Sequence, residues 1–287
     1  MENLLLTQFW KDYELIDFGK GRKLERFGSM IIDRPEPYAI TKPKYSGQDW
    51  EKRRNLKFIS GTNSEGTWEN TKGVTTWNIT ANNTTKVELF LSKFKHLGIF
   101  PEQKVNWELA KNFLTEFEGN KNVLNLFAYT GIASSILAQH AQQLTHVEAF
   151  KQIMTSAKKN AELNNLENIR WILDDAFKFI GKELKRGNTY SLIILDPPSF
   201  GRGPKGERWK IEELFKEIVQ NVIRLLEPGG KIILNTYSKS VDDAFIYSAI
   251  GNPKNITSTV NNLGIHCRAK DENLVLGKTT IIDKIHG

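Results

Sequence analysis

The chain has 287 residues, of which 39% are hydrophobic and 25% charged, and its 40 Lys/Arg against 33 Asp/Glu give a formal charge of +7. This is ordinary globular composition with room for one α/β domain and a smaller module; the charge excess is too small for a histone-like binder and compatible with a polyanionic partner. A single cysteine, Cys267, excludes an intramolecular disulfide framework and a cysteine cluster for a metal, which fits a reducing compartment.

The chain opens on MENLLLTQFW, with three consecutive leucines and no basic segment before them, and no run approaches the roughly 18 apolar residues needed to span a bilayer. A soluble, cytoplasmic protein is expected, with no membrane and no metal among its partners. Residues 1–90 read as a small β-rich module: runs such as ELIDFG, SMIID and TWNIT are separated by Gly, Pro and Asn clusters, and four of the seven tryptophans (Trp10, Trp50, Trp68, Trp77) fall here. Residues 91–287 read as the larger domain, and beyond residue 105 the pattern becomes regular. The apolar runs NVLNLF, LTHVEA, IRWIL, SLIILD and KIILNTY are separated by the helical patterns GIASSILAQHAQQ, KQIMTSAKKNAELNN, AFKFIGKELKR and IEELFKEIVQNVIRLLE. Such alternation predicts right-handed βαβ units and a mostly parallel sheet covered by helices on both faces, because its strands are apolar throughout.

In an open parallel sheet, ligands bind where loops leave the carboxyl ends of the strands, so the residues after each apolar run are the candidates. After the first run comes FAYTGIASS. Here Gly131 lets a backbone approach a ligand beside Phe127, Ala128, Tyr129 and Thr130, and the following helix start offers free N–H groups; taken alone, Gly131 reads first as a turn residue. After the second run stands Glu148, 17 residues beyond Gly131, where a carboxylate accepts both hydroxyls of a ribose, unless it is only a solvated strand end. After the third, LDDAF supplies Asp174 and Asp175, of which one suits an adenine amino group and one a helix N-cap. The chain lacks the G-x-G-x-x-G run that admits a pyrophosphate, which favours a phosphate-free nucleoside such as S-adenosylmethionine over a dinucleotide.

The fourth run leads into SLIILDPPSFGRGPKGERWK, residues 191–210. Two consecutive prolines fix φ near −65° and remove two N–H donors, so Asp196, Pro197 and Pro198 read as a rigid corner with carbonyls free to accept. A planar base beside it would be held by Asp196 and the Pro197 carbonyl and stacked on Phe200. The alternative, a strand-terminating turn, leaves the acid at the end of SLIIL unexplained. Beyond Phe200, Arg202, Lys205, Arg208 and Lys210 stand against a single Glu207 and are interleaved with glycines. They read either as a solvated loop or as a mobile cationic loop that grips RNA phosphates around the base.

VLNLFAYTGIASSILA, HVEAFKQIMTSAKKNAELNNL, RWILDDAFKFI and LIILDPPSFGRGPKGERWK, in this order and spacing, resemble the class I S-adenosylmethionine-dependent methyltransferases related to the bacterial large-subunit rRNA methyltransferases I and K. The likeness covers about residues 90–285, includes FKHLGIFPEQ at residues 94–103, continues more weakly through DYELIDFGKGRKLERFG, and is nearest to a shorter branch of that family. The resemblance implies a Rossmann-like seven-stranded sheet whose last strand, around HCRAK and TTIID, is antiparallel, with an N-terminal β module. It implies S-adenosylmethionine as cofactor and RNA, above all rRNA, as partner. It also implies Tyr129 and Gly131 beside the methionine moiety, Gln103 at its carboxylate, Glu148 at the ribose, Asp175 at the adenine, and Asp196, Pro197 and Pro198 at the transfer point.

The cytosine-C5 members of that family attack the ring with a cysteine thiolate. Here KIILNTYSKS places Tyr237 where such a cysteine would follow, and Cys267 reads as a buried small hydrophobe, so a covalent cytosine mechanism is not expected. The Asp-Pro-Pro corner followed by Phe200 resembles N-methylating enzymes, in which an amine lone pair attacks the sulfonium methyl and catalysis is mostly alignment and desolvation. His96 and His146 read as structural. The expected function is methylation of an rRNA base on nitrogen. The alternatives are a small-molecule or protein acceptor, a catalytically inactive rRNA-binding assembly factor and, against the missing glycines, a nicotinamide-dependent oxidoreductase.

Overall fold

The computed structural model describes residues 3–62, 65–69, 72–203, 206 and 208–285. They group into two compact units that interleave along the chain: the larger comprises Met1–Leu5, Asn106–Asn262 and Gly277–Gly287, the smaller Leu6–Val105 and Leu263–Leu276. The first strand, β1 (Leu4–Thr7), lies in the sheet of the larger unit.

In the smaller unit β2 (Tyr13–Gly19), β3 (Arg22–Phe27), β4 (Met30–Pro35), β5 (Leu56–Ser60) and β6 (Gly66–Glu69) form a sheet in that order, and α1 (Gly47–Arg53) lies in the crossover from β4 to β5. The crossover is needed because β4 and β5 run parallel, which a tight turn cannot connect. Asp17 on β2 holds this crossover by accepting hydrogen bonds from the backbone N–H groups of Lys44 (3.0 Å) and Tyr45 (2.9 Å) and from Trp50 Nε1 (2.9 Å). β7 (Thr76–Thr80) and β8 (Lys86–Phe90) form a separate antiparallel pair. The interior of this unit is charged as well as apolar. Glu25, with no exposed surface, accepts from the Tyr13 hydroxyl (2.9 Å) and Arg34 Nε (2.6 Å), and Lys23 Nζ stands 3.5 Å from Glu25 and 3.3 Å from Glu36. Burial pushes the Glu25 carboxyl up, but the charges of Arg34 and Lys23 and the hydrogen bonds outweigh it and hold the pKa at about 2. Cys267 is the buried small side chain expected: its thiol donates to the Ile16 carbonyl at 3.5 Å, and burial pushes its pKa up.

In the larger unit α2 (Lys104–Glu116) precedes β9 (Asn122–Leu126), α3 (Ile132–Leu137), β10 (Gln143–Glu148), α4 (Lys151–Glu162), β11 (Ile169–Leu173), α5 (Ala176–Arg186) and β12 (Tyr190–Leu195). A short ribbon of β13 (Phe200–Arg202) and β14 (Arg208–Lys210) follows, then α6 (Ile211–Leu225), β15 (Leu226–Thr236), α7 (Asp243–Ile250), β16 (Ile256–Cys267) and β17 (Glu272–Lys284). The sheet order is β1-β16-β17-β15-β12-β9-β10-β11. The strands from β15 to β11 pair in parallel and β17 runs antiparallel to β15. This is the mostly parallel α/β sheet expected from the sequence, with TTIID in the antiparallel strand; β1 extends the expected seven strands to eight.

The local causes are legible. All six residues of β12 are buried, as in a strand covered on both faces. α6 buries Ile211, Phe215, Ile218, Val219, Val222 and Leu225, a 3.6-residue stripe against the sheet. α5 is closed by the Asp175 N-cap and by Gly187, whose φ of 69° suits the left-handed C-cap. Where polar side chains enter the core they pair, as when Asn106 Nδ2 donates to Asn235 Oδ1 (2.8 Å) and Thr279 Oγ1 (3.0 Å). No helix among the described residues is long and apolar enough to cross a membrane.

Candidate active site

Because β11, β10, β9 and β12 are parallel neighbours, their carboxyl ends lie at one end of the sheet. The register pairs Leu173 with Glu148, Val147 with Leu126 and Leu126 with Leu195. The loops leaving these ends therefore present, in lateral order, Asp174 and Asp175, then Glu148 to Phe150, then the turn 127–131, then Asp196 to Pro198. Candidates far apart in sequence, such as Phe127 and Pro198, are thus neighbours by topology.

The turn after β9 is unusual in its backbone. Phe127 (φ 54°), Tyr129 (φ 51°) and Gly131 (φ 72°) are all left-handed, a conformation that costs a non-glycine residue about 1–2 kcal/mol. Surrounding bonds hold it: the Ala128 N–H donates to the Val147 carbonyl (3.1 Å), the Tyr129 N–H to Glu148 Oε2 (3.1 Å), and Asn160 Nδ2 to the Thr130 carbonyl (2.9 Å). At Gly131 a Cβ would stand 2.9 Å from that of Ala157, so this glycine is required by packing as well as by φ. Beneath the turn Asn125 Nδ2 donates to Ser134 Oγ (2.9 Å), which is 2.9 Å from His146 Nδ1. Burial depresses the His146 pKa to about 3, so its imidazole is neutral at physiological pH and braces the turn, as the sequence suggests.

Glu148 is buried at the end of β10, with Oε2 accepting from Tyr129 N–H and Oε1 from Phe150 N–H (2.9 Å). Burial raises its pKa, opposed in part by the backbone N–H groups of Phe150, Tyr129 and Ala149, and a carboxylate's remaining lone-pair capacity can still receive a donor from a ligand. Asp174 pairs with Lys182 Nζ (2.5 Å), while Asp175 is the N-cap of α5, its Oδ1 accepting from Lys178 N–H (2.9 Å). Beside these acids two large apolar side chains are exposed, Phe150 (46%) and Leu173 (53%). Sequence reasoning missed both; the available signal was a large apolar residue within two positions of a strand-end acid, Phe150 after Glu148 and Leu173 before Asp174. Acceptors for hydroxyls and an amino group between exposed apolar surfaces suit a nucleoside.

At the end of β12, Asp196 is half-buried, Pro197 buried and Pro198 exposed, and Phe200 is 64% exposed. One expectation needs correction. The carbonyls of the corner are not all free, because the indole N–H of Trp209 donates to the Pro198 carbonyl. Trp209 is buried, with its ring centroid 5.1 Å from that of Phe127. The cationic segment is paired at its two ends: Phe200, Gly201 and Arg202 lie opposite Lys210, Trp209 and Arg208. Arg208 and Lys210 approach Glu213 Oε1 at 3.5 and 3.6 Å. Lys205 and Glu207, and the side chain of Arg202, lie outside the described residues. Gln103 is buried on the 3-10 turn Pro101–Gln103 and belongs to the smaller unit.

A family model described as S-adenosylmethionine-dependent methyltransferase matches residues 39–258. The crystal structure of a SAM-dependent methyltransferase from Agrobacterium tumefaciens is 30% identical, with a TM-score of 0.88 over 100% of this chain and 97% of that one. Ribosomal RNA large subunit methyltransferase I of Cronobacter sakazakii is 37% identical over 124 residues, 42% of this chain and 31% of that protein. The protein of the same name from Aeromonas salmonicida is 32% identical over 146 residues, 50% and 35% of the two lengths. The matched segments thus span about a third of those curated relatives.

Proposed function

This chain belongs to the S-adenosylmethionine-dependent methyltransferase family, and from that premise we propose that it methylates a base of ribosomal RNA on nitrogen. The observation that carries the reading is the lateral order of the four loops, which sets Asp196 next to the turn 127–131 on the side away from Glu148 and Asp175. Asp175 would receive the adenine amino group, Glu148 the ribose hydroxyls, and Tyr129 and Gly131 would line the methionine end. Phe150 and Leu173 supply the apolar walls. When bound, S-adenosylmethionine supplies an electrophilic methyl on a sulfonium. Asp196 would accept an N–H of the acceptor base, turn its lone pair toward the transfer point and hold the proton that nitrogen releases. Pro197 and Pro198 stiffen that corner, and exposed Phe200 offers a face for stacking.

Nitrogen is favoured because the chain's one cysteine, buried and bonded to the Ile16 carbonyl in the smaller unit, is not a residue of the corner. Ribosomal RNA is favoured by the names of the curated relatives and by Arg208 and Lys210 just beyond the corner. Mass spectrometry of rRNA nucleosides from cells with and without the gene tests the reading. A base-methylated nucleoside that disappears with the gene and returns with the wild-type copy supports it; identical nucleoside profiles sink it.

The raised pKa of Glu148 gives a prediction for cofactor affinity. The ionised carboxylate is the acceptor form, so affinity should be full at neutral pH and decline as pH falls through the Glu148 pKa, beginning above the pH at which an ordinary carboxylate protonates. Glu148→Gln should bind more weakly, by on the order of 1.5–3 kcal/mol, and without that pH dependence. Calorimetry across pH on both proteins decides; a Glu148→Gln variant with wild-type affinity removes Glu148 from the ribose site.

A further inference from the structure

We infer that Trp209 is a positioning residue for methyl transfer, which fixes the corner Asp196–Pro198 against the turn 127–131. The inference rests on reading Asp196 as the acceptor-side residue. Two independent contacts converge on one side chain: the indole N–H is given to the Pro198 carbonyl, and the indole ring meets Phe127 at 5.1 Å with planes inclined by 57°. Pro197 and Pro198 have no N–H with which to tie the corner into the sheet, so a donor to the Pro198 carbonyl adds a hold that their stiffness alone does not supply. Phe127 carries a φ of 54°, a conformation that persists only when its surroundings impose it. Trp209 also belongs to the core with Ile211, Phe215 and Ile218, so the anchor itself is rigid.

The neighbours of Trp209 extend the inference to the substrate side. In β14 alternate residues face opposite ways, which puts Trp209 inward while Arg208 is exposed and Lys210 partly so. One strand therefore carries cations on its outer side and the anchor of the transfer corner on its inner side. The ladder to β13 adds a second tie, and Ile211 N–H donates to the Ser199 carbonyl at 3.1 Å. RNA phosphates bound by Arg208 and Lys210 would thus be indexed to the same strand that orients Asp196.

The test compares Trp209→Phe, which keeps an aromatic ring and loses the donor, with Trp209→His, which restores a ring N–H, using rRNA from cells lacking the gene and radiolabelled S-adenosylmethionine. Trp209→Phe should bind the cofactor within about threefold of wild type by calorimetry, while kcat at saturating cofactor falls roughly 10- to 100-fold. Trp209→His should recover part of that loss. A kcat within twofold of wild type in Trp209→Phe overturns the inference. Asp196→Ala measured alongside separates the two readings. If it is inactive while Trp209→Phe is fully active, only the Trp209 inference fails, whereas an active Asp196→Ala removes the transfer corner itself. Should the variants fold poorly, amide exchange of the wild-type protein answers instead: residues 199–200 and 208–211 should slow together on adding S-adenosylmethionine, and independent behaviour of the two segments overturns the coupling.

Discussion

Replacing Asp196 by Ala should abolish methyl transfer, with kcat lowered on the order of 10²- to 10⁴-fold, while S-adenosylmethionine binds within a few-fold of wild type. The dissociation of the two effects follows from position. Asp196 is the first residue beyond β12, on the far side of the turn 127–131 from Glu148 and Asp175, so the groups proposed for adenine and ribose are untouched by its removal. What is lost is the acceptor for the N–H of the incoming base, an interaction that matters most when the nitrogen is aligned and becoming positive. Asp196→Asn should retain more activity than Asp196→Ala, because its amide oxygen still accepts a hydrogen bond although it cannot hold a proton. Calorimetry and single-turnover methylation together decide. Equal loss of binding and turnover would reassign Asp196 to the cofactor, and full turnover would take the Asp-Pro-Pro corner out of the mechanism.

The second large effect concerns stability rather than chemistry. Glu25→Ala should destabilise the smaller unit by about 3–5 kcal/mol, since it leaves the buried Arg34 without the carboxylate that compensates it, leaves Lys23 with Glu36 alone, and removes the partner of the Tyr13 hydroxyl. The pH dependence has a definite sign. With a folded pKa of about 2, below the ordinary 4.5, Glu25 contributes stability that is fully present above pH 4.5 and lost as pH falls through about 2. In Glu25→Gln this acid-dependent component should vanish. Denaturant unfolding at pH 7 is the check, and a loss below about 1 kcal/mol for Glu25→Ala would mean that the cations relax to solvent when the acid is gone.

The same residue explains why the two parts of the chain were not equally legible. β9 and β12 are dominated by buried aliphatics and α5 and α6 carry a clear apolar stripe, so periodicity alone located them; AFKFIGKELKR is α5 to the residue. In β3 the pattern RKLERF reads as a polar segment, yet Lys23, Leu24 and Glu25 are all buried, because Glu25 is neutralised by Lys23 two residues away and by Arg34 on the adjacent strand. Pairing across strands is invisible in one strand's hydropathy. α2 was missed for a related reason, since KVNWELAKNFLTE buries Asn106 beside its apolar residues. At the site, the strand-end acids were readable from their place after each apolar run. Trp209 was not: within GERWK its cationic neighbours dominate, and only the period-two alternation of a strand shows that the tryptophan turns inward. The left-handed Phe127 and Tyr129 were equally hidden, because no glycine marks them.

The interleaving of the two units has a consequence for biosynthesis. Residues 6–105 leave the ribosome first, but their unit also contains Leu263–Leu276, which follows the whole of Asn106–Asn262. At about 5–20 residues per second the delay is on the order of ten to thirty seconds. Throughout it the Ile16 carbonyl lacks the Cys267 thiol, and the Phe18 carbonyl lacks Lys270 Nζ. The smaller unit, most of it translated early, is therefore completed only at residue 276, and a stalled or truncated chain ending before residue 263 would carry an unfinished N-terminal fold rather than an independent domain.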